Sequence, residues 1–174
     1  AETTTVSDPV TTLSSVTLPD QLTQVLRLAT VGSKRFLTNK VDRSVGGLVV
    51  QQQCLGAYQV PLADYALVAH SAFGITGTVT AIGEQPLKGL TNVAAMARLS
   101  VTEMLTNLMW VGVESLAAVR ASANWMWAVH EPGQLRALVT ACRAMCDWVK
   151  ALGFAIDGGK DSLSLVSKVH RQQQ

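Results

Sequence analysis

The chain has 174 residues, of which 48% are hydrophobic and 15% are charged, with a net charge of +2. This length fits one domain with a substantial core, and the low charge content predicts that another domain or subunit covers part of the apolar surface. The weak net charge gives no electrostatic argument for binding nucleic acid or an anionic membrane, and no apolar run is long enough to span a bilayer.

Three cysteines, Cys54, Cys142 and Cys146, form neither a disulfide framework nor a zinc-binding pattern. We therefore expect reduced thiols in a cytoplasmic protein. Cys142 and Cys146 are expected to be small core residues of a helix. The chain begins with Ala and has no signal-peptide pattern, so it is interpreted as a fragment of a larger multidomain protein.

The N-terminal residues 1–32 are interpreted as a linker and a short helix, and residues 33–174 as one domain. Thr and Ser are frequent in residues 1–17, which favours a loop. The helix is predicted to begin at Pro19 and to end at Gly32.

Two adjacent glycines, Gly46 and Gly47, follow the polar residues Asp42, Arg43 and Ser44. Because glycine tolerates backbone conformations that other residues avoid, this stretch predicts a tight bend or a close approach to another group. Two interpretations stay open, a binding loop and an ordinary turn.

Two strands are predicted next, at Val60–Ala69 and at residues 75–82, where polar and apolar residues alternate. A long helix is then predicted over Thr91–Gly112, because apolar residues recur at a spacing close to 3.6. Thr91 and Asn92 are both good candidates for its N-terminal cap.

Glu103 and Asn107 lie four residues apart in this helix, so their side chains point the same way from successive turns. They flank the apolar stripe, where a carboxylate needs a partner because burying an unpaired charge costs several kcal/mol. A hard cation is one such partner. The alternative is a solvated Glu103 or one that caps other groups.

The C-terminal third of the chain predicts an extended segment, a helix and a strand. Residues 116–129 are predicted to be extended, and a helix follows from Pro132 to Gly153. The sequence DGGKDS comes next, and Ser162–Val169 alternates like a strand.

Within DGGKDS, two glycines followed by a lysine and a serine predict an anion-binding cradle of backbone N–H groups, an ammonium and a hydroxyl. This stretch is not a Walker A motif, and a glycine-rich hairpin is the alternative. The residues concerned are Gly158, Gly159, Lys160 and Ser162. Taken together, the segments predict an α+β fold in which a mixed or antiparallel sheet is covered on one face by two long helices.

Several segments together resemble the phosphoribosylformylglycinamidine synthase family. They are DRSVGGLVVQQQ, VPLADYALVA, TAIGEQPLKGL, EMLTN, SANWMWA and IDGGKDSLSL, and they occur in the family's order. The resemblance covers about residues 33–169 and implies an N-terminal domain of the aminoimidazole ribonucleotide synthetase type, from the second synthetase half. It also implies an ATP-dependent reaction in which ammonia from glutamine converts formylglycinamide ribonucleotide to the amidine.

The resemblance implies a magnesium ion beside bound ATP or ADP, held by Asp64, Glu103, Asn107 and a carboxylate of a later domain. It further implies that Ala63 offers a backbone contact to the nucleotide. The stretches Asp42–Ser44 and Gly158–Ser162 are candidates for contact with substrate or phosphate. The implied partners are the remaining synthetase domains and the glutaminase domain, with a small-molecule nucleotide as substrate.

Two other interpretations stay open. One is a non-catalytic homologue that acts through protein contacts, like some viral tegument proteins that resemble this enzyme. The other is a free-standing relative of the aminoimidazole ribonucleotide or selenophosphate synthetases.

No cysteine lies in a nucleophile context, and His70, His130 and His170 have no obvious partner. Since the family's glutaminase domain and its catalytic half with the glycine-rich ATP loop are not found in this sequence either, the chain alone is not expected to catalyse the reaction.

Overall fold

A computed structural model describes residues 16–38, 40–43 and 45–167 of the chain. This part of the chain contains four α-helices and five β-strands. They are α1 (Leu18–Arg27), α2 (Arg35–Thr38), β1 (Val49–Gln51), β2 (Tyr65–Ala69), β3 (Gly77–Ala81), α3 (Val93–Leu108), β4 (Arg120–Met126), α4 (Gln134–Leu152) and β5 (Ala155–Ser162). Short 3₁₀ helices occupy Pro86–Leu90 and Leu116–Ala118.

The strands form two small sheets. β1, β2 and β3 are antiparallel in that order, while β4 and β5 are parallel and are connected through α4. A parallel pair needs such a crossover, because the chain must return to the same end before the second strand starts. The predicted α+β class is confirmed, but the single sheet expected from the sequence is divided into two.

The long helix α3 begins where the sequence predicts, because the Asn92 side chain accepts a hydrogen bond of 2.9 Å from the N–H of Ala95. Its predicted end at Gly112 is wrong. The N–H of Val111 donates to the carbonyl of Leu108 at 3.1 Å, so the backbone tightens into a turn and the helix ends at Leu108.

Helix α4 lies between two glycines in the left-handed region. Gly133 precedes it and Gly153 follows it, each with φ of 79°. Gly153 confirms the predicted end, because a residue at this position commonly adopts a conformation that only glycine reaches without strain. A hydrogen bond of 2.9 Å from Trp127 Nε1 to Gln134 Oε1 connects the N-terminus of α4 to the residue that follows β4.

The core lies between the two long helices and the sheets. Its buried residues are Val101, Leu108, Val119, Val149 and Phe154. Ala141 on α4 is also fully buried. The prediction that both helix cysteines are core residues is wrong for Cys146, which is exposed, whereas Cys142 is half-buried.

Two strand predictions need correction. β2 starts only at Tyr65, because the preceding segment pairs elsewhere: Ala63 N–H donates to the Gln53 carbonyl at 2.8 Å, and Leu62 bridges to Cys54. The strand predicted at Ser162–Val169 is also wrong. β5 ends at Ser162, residues 163–167 are irregular, and residues 168 and 169 lie outside the described part of the chain.

Helix α1 has a polar and an apolar side but buries no residue. The Thr17 hydroxyl caps it by accepting from the N–H of Asp20 at 3.4 Å. Leu18, Leu22 and Leu26 are each more than half exposed. Over the described residues, no helix has the length and apolar character needed to cross a membrane.

Candidate functional site

Glu103 contacts the segment that leads from β3 into the 3₁₀ helix at Pro86–Leu90. Its Oε2 atom accepts a hydrogen bond of 2.9 Å from the backbone N–H of Glu84 and one of 2.7 Å from Nε2 of Gln85. Lys88 Nζ in turn donates to Oε1 of Gln85. One oxygen of Glu103 therefore has protein partners, which is the capping arrangement that the sequence left open.

Asn107, one turn further along α3, contacts the beginning of the same segment. Its Nδ2 atom donates a hydrogen bond of 3.0 Å to the carbonyl oxygen of Ile82. Because the amide uses its nitrogen here, its Oδ1 atom points elsewhere and can accept. Within the described part of the chain, no protein group donates to Asn107 Oδ1 or to Glu103 Oε1.

Asp64 lies at the same end of the three-stranded sheet. Tyr65 pairs with Ala81 across β2 and β3, so continuing the antiparallel register by one residue sets Asp64 opposite Ile82. Glu103 and Asn107 bind the segment Ile82–Gln85 directly, and Asp64 is placed at the start of this segment by the strand register alone. The convergence of the three side chains on one ion stays a prediction.

Gly83 explains how close this segment lies to α3. A Cβ atom at this position would lie 2.0 Å from the Ser100 carbonyl oxygen and 2.6 Å from the Met104 nitrogen. Only a residue without a side chain can approach a helix backbone so closely. The contact keeps the segment within reach of Glu103 and Asn107.

The donor set fits a hard divalent cation such as Mg²⁺. A carboxylate from Asp64, Oε1 of Glu103 and Oδ1 of Asn107 are oxygen ligands, and Mg²⁺ completes such sets with water and phosphate oxygens. Among the described residues, no three His, Cys, Asp or Glu side chains are close enough together to hold a metal. Of the three predicted ligands, only Asp64 and Glu103 belong to these residue types. A metal at this site would therefore also need the Asn107 amide oxygen and ligands from outside this chain.

A cavity of about 440 Å³ opens beside Asp64. Arg43, Ala63, Asp64 and Ile82 are among the residues that line it, and the walls come from the edges of β1, β2 and β3. This volume is in the range of small-molecule sites. The Arg43 guanidinium is held at one side by a hydrogen bond of 2.7 Å to Gln59 Oε1.

The predicted loop around Asp42, Arg43 and Ser44 contributes only one residue to this cavity. Arg43 lines it, and Asp42 is exposed and does not. Ser44 lies outside the described residues. The tight bend predicted at Gly46 is present, with φ of 84°.

The predicted anion cradle at DGGKDS is not a loop. These residues belong to β5, where Gly158 pairs with Ser122 and Gly159 with Ala123, and a Cβ at Gly159 would lie 2.5 Å from the Ala123 carbonyl oxygen. The glycines therefore permit close strand pairing, and their N–H groups are not gathered around an anion. Neither they nor Lys160 and Ser162 line the cavity beside Asp64, and Lys160 Nζ donates to the Asp161 carbonyl at 2.7 Å. Contact with phosphate at these residues stays a prediction.

The sequence did not identify Gln85 and Lys88 as parts of the site. Both belong to TAIGEQPLKGL, but hydrogen bonds across 18 residues of sequence leave no periodic signal. The sequence offered no obvious partner for His70, and in the structure its Nδ1 lies 3.3 Å from the Thr76 hydroxyl and its Nε2 lies 2.8 Å from the Thr78 hydroxyl. His130 is exposed, and His170 lies outside the described residues.

The three cysteines are unpaired thiols, as predicted. Burial raises the pKa of the Cys142 thiol, and the charge of Cys146 and a hydrogen bond to it act in the same direction, as does the charge of Asp161. A raised pKa keeps Cys142 protonated, which is the opposite of what a nucleophile requires.

Comparison with known proteins identifies the family. The model of the FGAR-AT PurM_N-like domain matches residues 33–174. The chain belongs to this family. This confirms the resemblance found in the sequence, and the fold described above is consistent with a PurM N-terminal-like domain.

Relatives of the FGAR-AT PurM_N-like chain include phosphoribosylformylglycinamidine synthases of Drosophila melanogaster and Homo sapiens. The fly protein is 56% identical over 152 residues, which are 87% of this chain and 11% of the relative. The human protein is 57% identical over 148 residues, which are 85% of this chain and 11% of the relative. The chain therefore spans about 11% of the length of these relatives.

Proposed function

We propose that the chain is a segment of a phosphoribosylformylglycinamidine synthase and supplies a magnesium-dependent nucleotide site. The full protein would be a ligase of purine biosynthesis that uses ATP and glutamine to convert formylglycinamide ribonucleotide to formylglycinamidine ribonucleotide. The identity to synthases above 50% supports this assignment. The observation that supports the nucleotide site is that Glu103 and Asn107 bind the segment Ile82–Gln85, at the end of the sheet where Asp64 precedes β2.

The residues of this chain would hold the ion and orient the nucleotide. Asp64, Glu103 Oε1 and Asn107 Oδ1 would bind Mg²⁺, and the backbone of Ala63 would contact ATP or ADP. Arg43 lines the same cavity and would attract phosphate. The bound ion would neutralise phosphate charge, as metals do in phosphoryl-transfer sites.

Packing between domains would be the second role of this segment. Large apolar side chains are widely exposed, among them Phe73, Ile75, Leu90 and Trp110. Monomeric proteins rarely expose so many, so the remaining synthetase domains and the glutaminase domain of the same protein are the proposed cover. The linker predicted within residues 1–32 lies mostly outside the described residues, which begin at residue 16, and by this proposal the chain alone is inactive.

A synthase segment is preferred to the alternatives because each of the relatives reported above is named a synthase. A non-catalytic homologue would have no reason to keep oxygen ligands in this arrangement. Cytoplasmic location stays a prediction, since the name of a 51% identical Arabidopsis thaliana relative refers to chloroplasts or mitochondria.

The test is nucleotide retention by the full-length protein with Glu103→Ala and, separately, Asp64→Ala. Each change should weaken the Mg²⁺-dependent affinity for ADP at least about tenfold, because removing a ligand oxygen leaves the ion with fewer partners. Glu131→Ala, which changes an exposed carboxylate before α4, is the matched control and should retain ADP normally. Unchanged Mg²⁺ dependence in both site variants would refute the proposed site.

A further inference from the structure

We infer that Gln85 is a positioning residue for the Glu103 carboxylate, with Lys88 fixing the orientation of Gln85. The inference rests on the proposed magnesium–nucleotide site and adds to it two residues that touch neither metal nor nucleotide. The carboxylate of Glu103 has two oxygens, and which one faces the ion decides the geometry of the site.

The contacts of Oε2 select the other oxygen as the ligand. Oε2 accepts from the Glu84 N–H at 2.9 Å and from Gln85 Nε2 at 2.7 Å. Two donors hold this oxygen in place, so rotation about the last side-chain bond is restricted and Oε1 is directed away from the segment. Carboxylates that bind metals are commonly held in this way by a neighbouring hydrogen bond.

Lys88 determines which end of the Gln85 amide meets Glu103. Its ammonium donates to Gln85 Oε1, so the amide must present Nε2 to the carboxylate. The result is a chain of donors from Lys88 through Gln85 to Glu103. Each bond polarises the next, which strengthens the contact at the carboxylate.

The rest of the segment prevents Gln85 from moving independently of α3. Asn107 Nδ2 donates a hydrogen bond of 3.0 Å to the Ile82 carbonyl oxygen at the start of the segment. The next residue, Gly83, packs against the Ser100 carbonyl of α3. The backbone N–H of Glu84 is bound to Glu103. The position of the Gln85 side chain is therefore fixed relative to the carboxylate before any ligand arrives.

The test measures Mn²⁺ binding by electron paramagnetic resonance in the full-length protein at saturating ADP, beside the affinity for ADP without metal. Gln85→Leu keeps the size of the side chain but removes the donor, and should lower Mn²⁺ affinity about 10- to 100-fold. The metal-free affinity for ADP should hardly change. Lys88→Met should lower Mn²⁺ affinity less, and Gln85→Arg, which restores a donor to Oε2, should recover most of it.

Gln134→Leu is the matched control, because it also removes one hydrogen bond of a glutamine side chain, at the start of α4. It should bind Mn²⁺ like the unaltered protein. Equal losses in Gln85→Leu and Gln134→Leu would overturn the inference, since general destabilisation would explain both. If Gln85→Leu does not fold, Lys88→Met decides, because Lys88 is exposed and normal Mn²⁺ binding by this variant overturns the inference.

The inference and the proposed function fail in different ways. Loss of Mn²⁺ binding in Glu103→Ala with normal binding in both Gln85→Leu and Lys88→Met would remove only the positioning role. Normal binding in Glu103→Ala, or none in the unaltered protein, would remove the metal site and the positioning role together.

Discussion

Asn107 in α3 donates a hydrogen bond of 3.0 Å to the carbonyl oxygen of Ile82, 25 residues earlier in the chain. Glu103, one turn before it, accepts from the N–H of Glu84 at 2.9 Å. Two side chains that the sequence singles out as ligands thus also attach the end of β3 to the long helix. The same residues can serve stability with one polar atom and binding with the other.

The first prediction concerns Asn107. Asn107→Asp should destabilise the chain by about 1–3 kcal/mol, because a carboxylate would face the Ile82 carbonyl oxygen in place of a donor. Urea unfolding followed by circular dichroism measures this change. Asn124→Asp, an exposed change in β4, should stay within about 0.5 kcal/mol of the unaltered chain. Equal stability of both variants would mean that the Asn107 bond contributes nothing.

The second prediction concerns Gly83. Gly83→Ala should destabilise the chain by about 1–3 kcal/mol or more, because its Cβ would lie 2.0 Å from the Ser100 carbonyl and the segment must move off α3. Gly112→Ala is the matched control, since nothing lies within 4 Å of a Cβ at that position. If thermal melting shifts equally in the two variants, the close approach at Gly83 does not exist.

The third prediction tests where the core lies. Phe154→Ala should cost about 3–5 kcal/mol in the free energy of unfolding, because Phe154 is 7% exposed and its removal leaves a cavity. Phe73→Ala removes the same group from a fully exposed position and should be nearly neutral in the same urea titration. A small loss at Phe154 would show that the cluster on Val149 and Val101 is packed differently.

The fourth prediction follows from the thiol of Cys142. Its pKa is raised in the folded chain by burial and by Cys146, so the folded state favours the neutral thiol. This contribution to stability is complete below the pH at which an ordinary thiol ionises and is lost as the pH rises through the raised pKa. The unaltered chain should therefore lose stability in alkaline solution more steeply than Cys142→Ala, as measured by urea midpoints against pH. If the urea midpoints of the two proteins change equally with pH, this prediction is contradicted.

Local rules predicted where α3 begins and where α4 ends. Asn92 caps α3 and Gly153 ends α4 because capping depends on one residue and its nearest neighbours. The four-residue spacing also predicted correctly that Glu103 and Asn107 share a side of the helix.

Contacts between distant residues could not be predicted in the same way. DGGKDS was interpreted as an anion-binding cradle or a glycine-rich hairpin, yet its glycines allow β5 to approach β4 closely, since a Cβ at Gly159 would lie 2.5 Å from the Ala123 carbonyl oxygen. Likewise, the attachment of Glu103 to Gln85 depends on tertiary structure alone.

The convergence of Asp64, Glu103 and Asn107 on one ion is tested most directly by diffraction from crystals of the full-length protein grown with Mn²⁺ and ADP. We predict an anomalous peak within about 2.3 Å of an Asp64 carboxylate oxygen, Glu103 Oε1 and Asn107 Oδ1, with Glu103 Oε2 still bound to Glu84 and Gln85. A peak elsewhere, or bound ADP with these three side chains out of reach of its metal, would contradict the account.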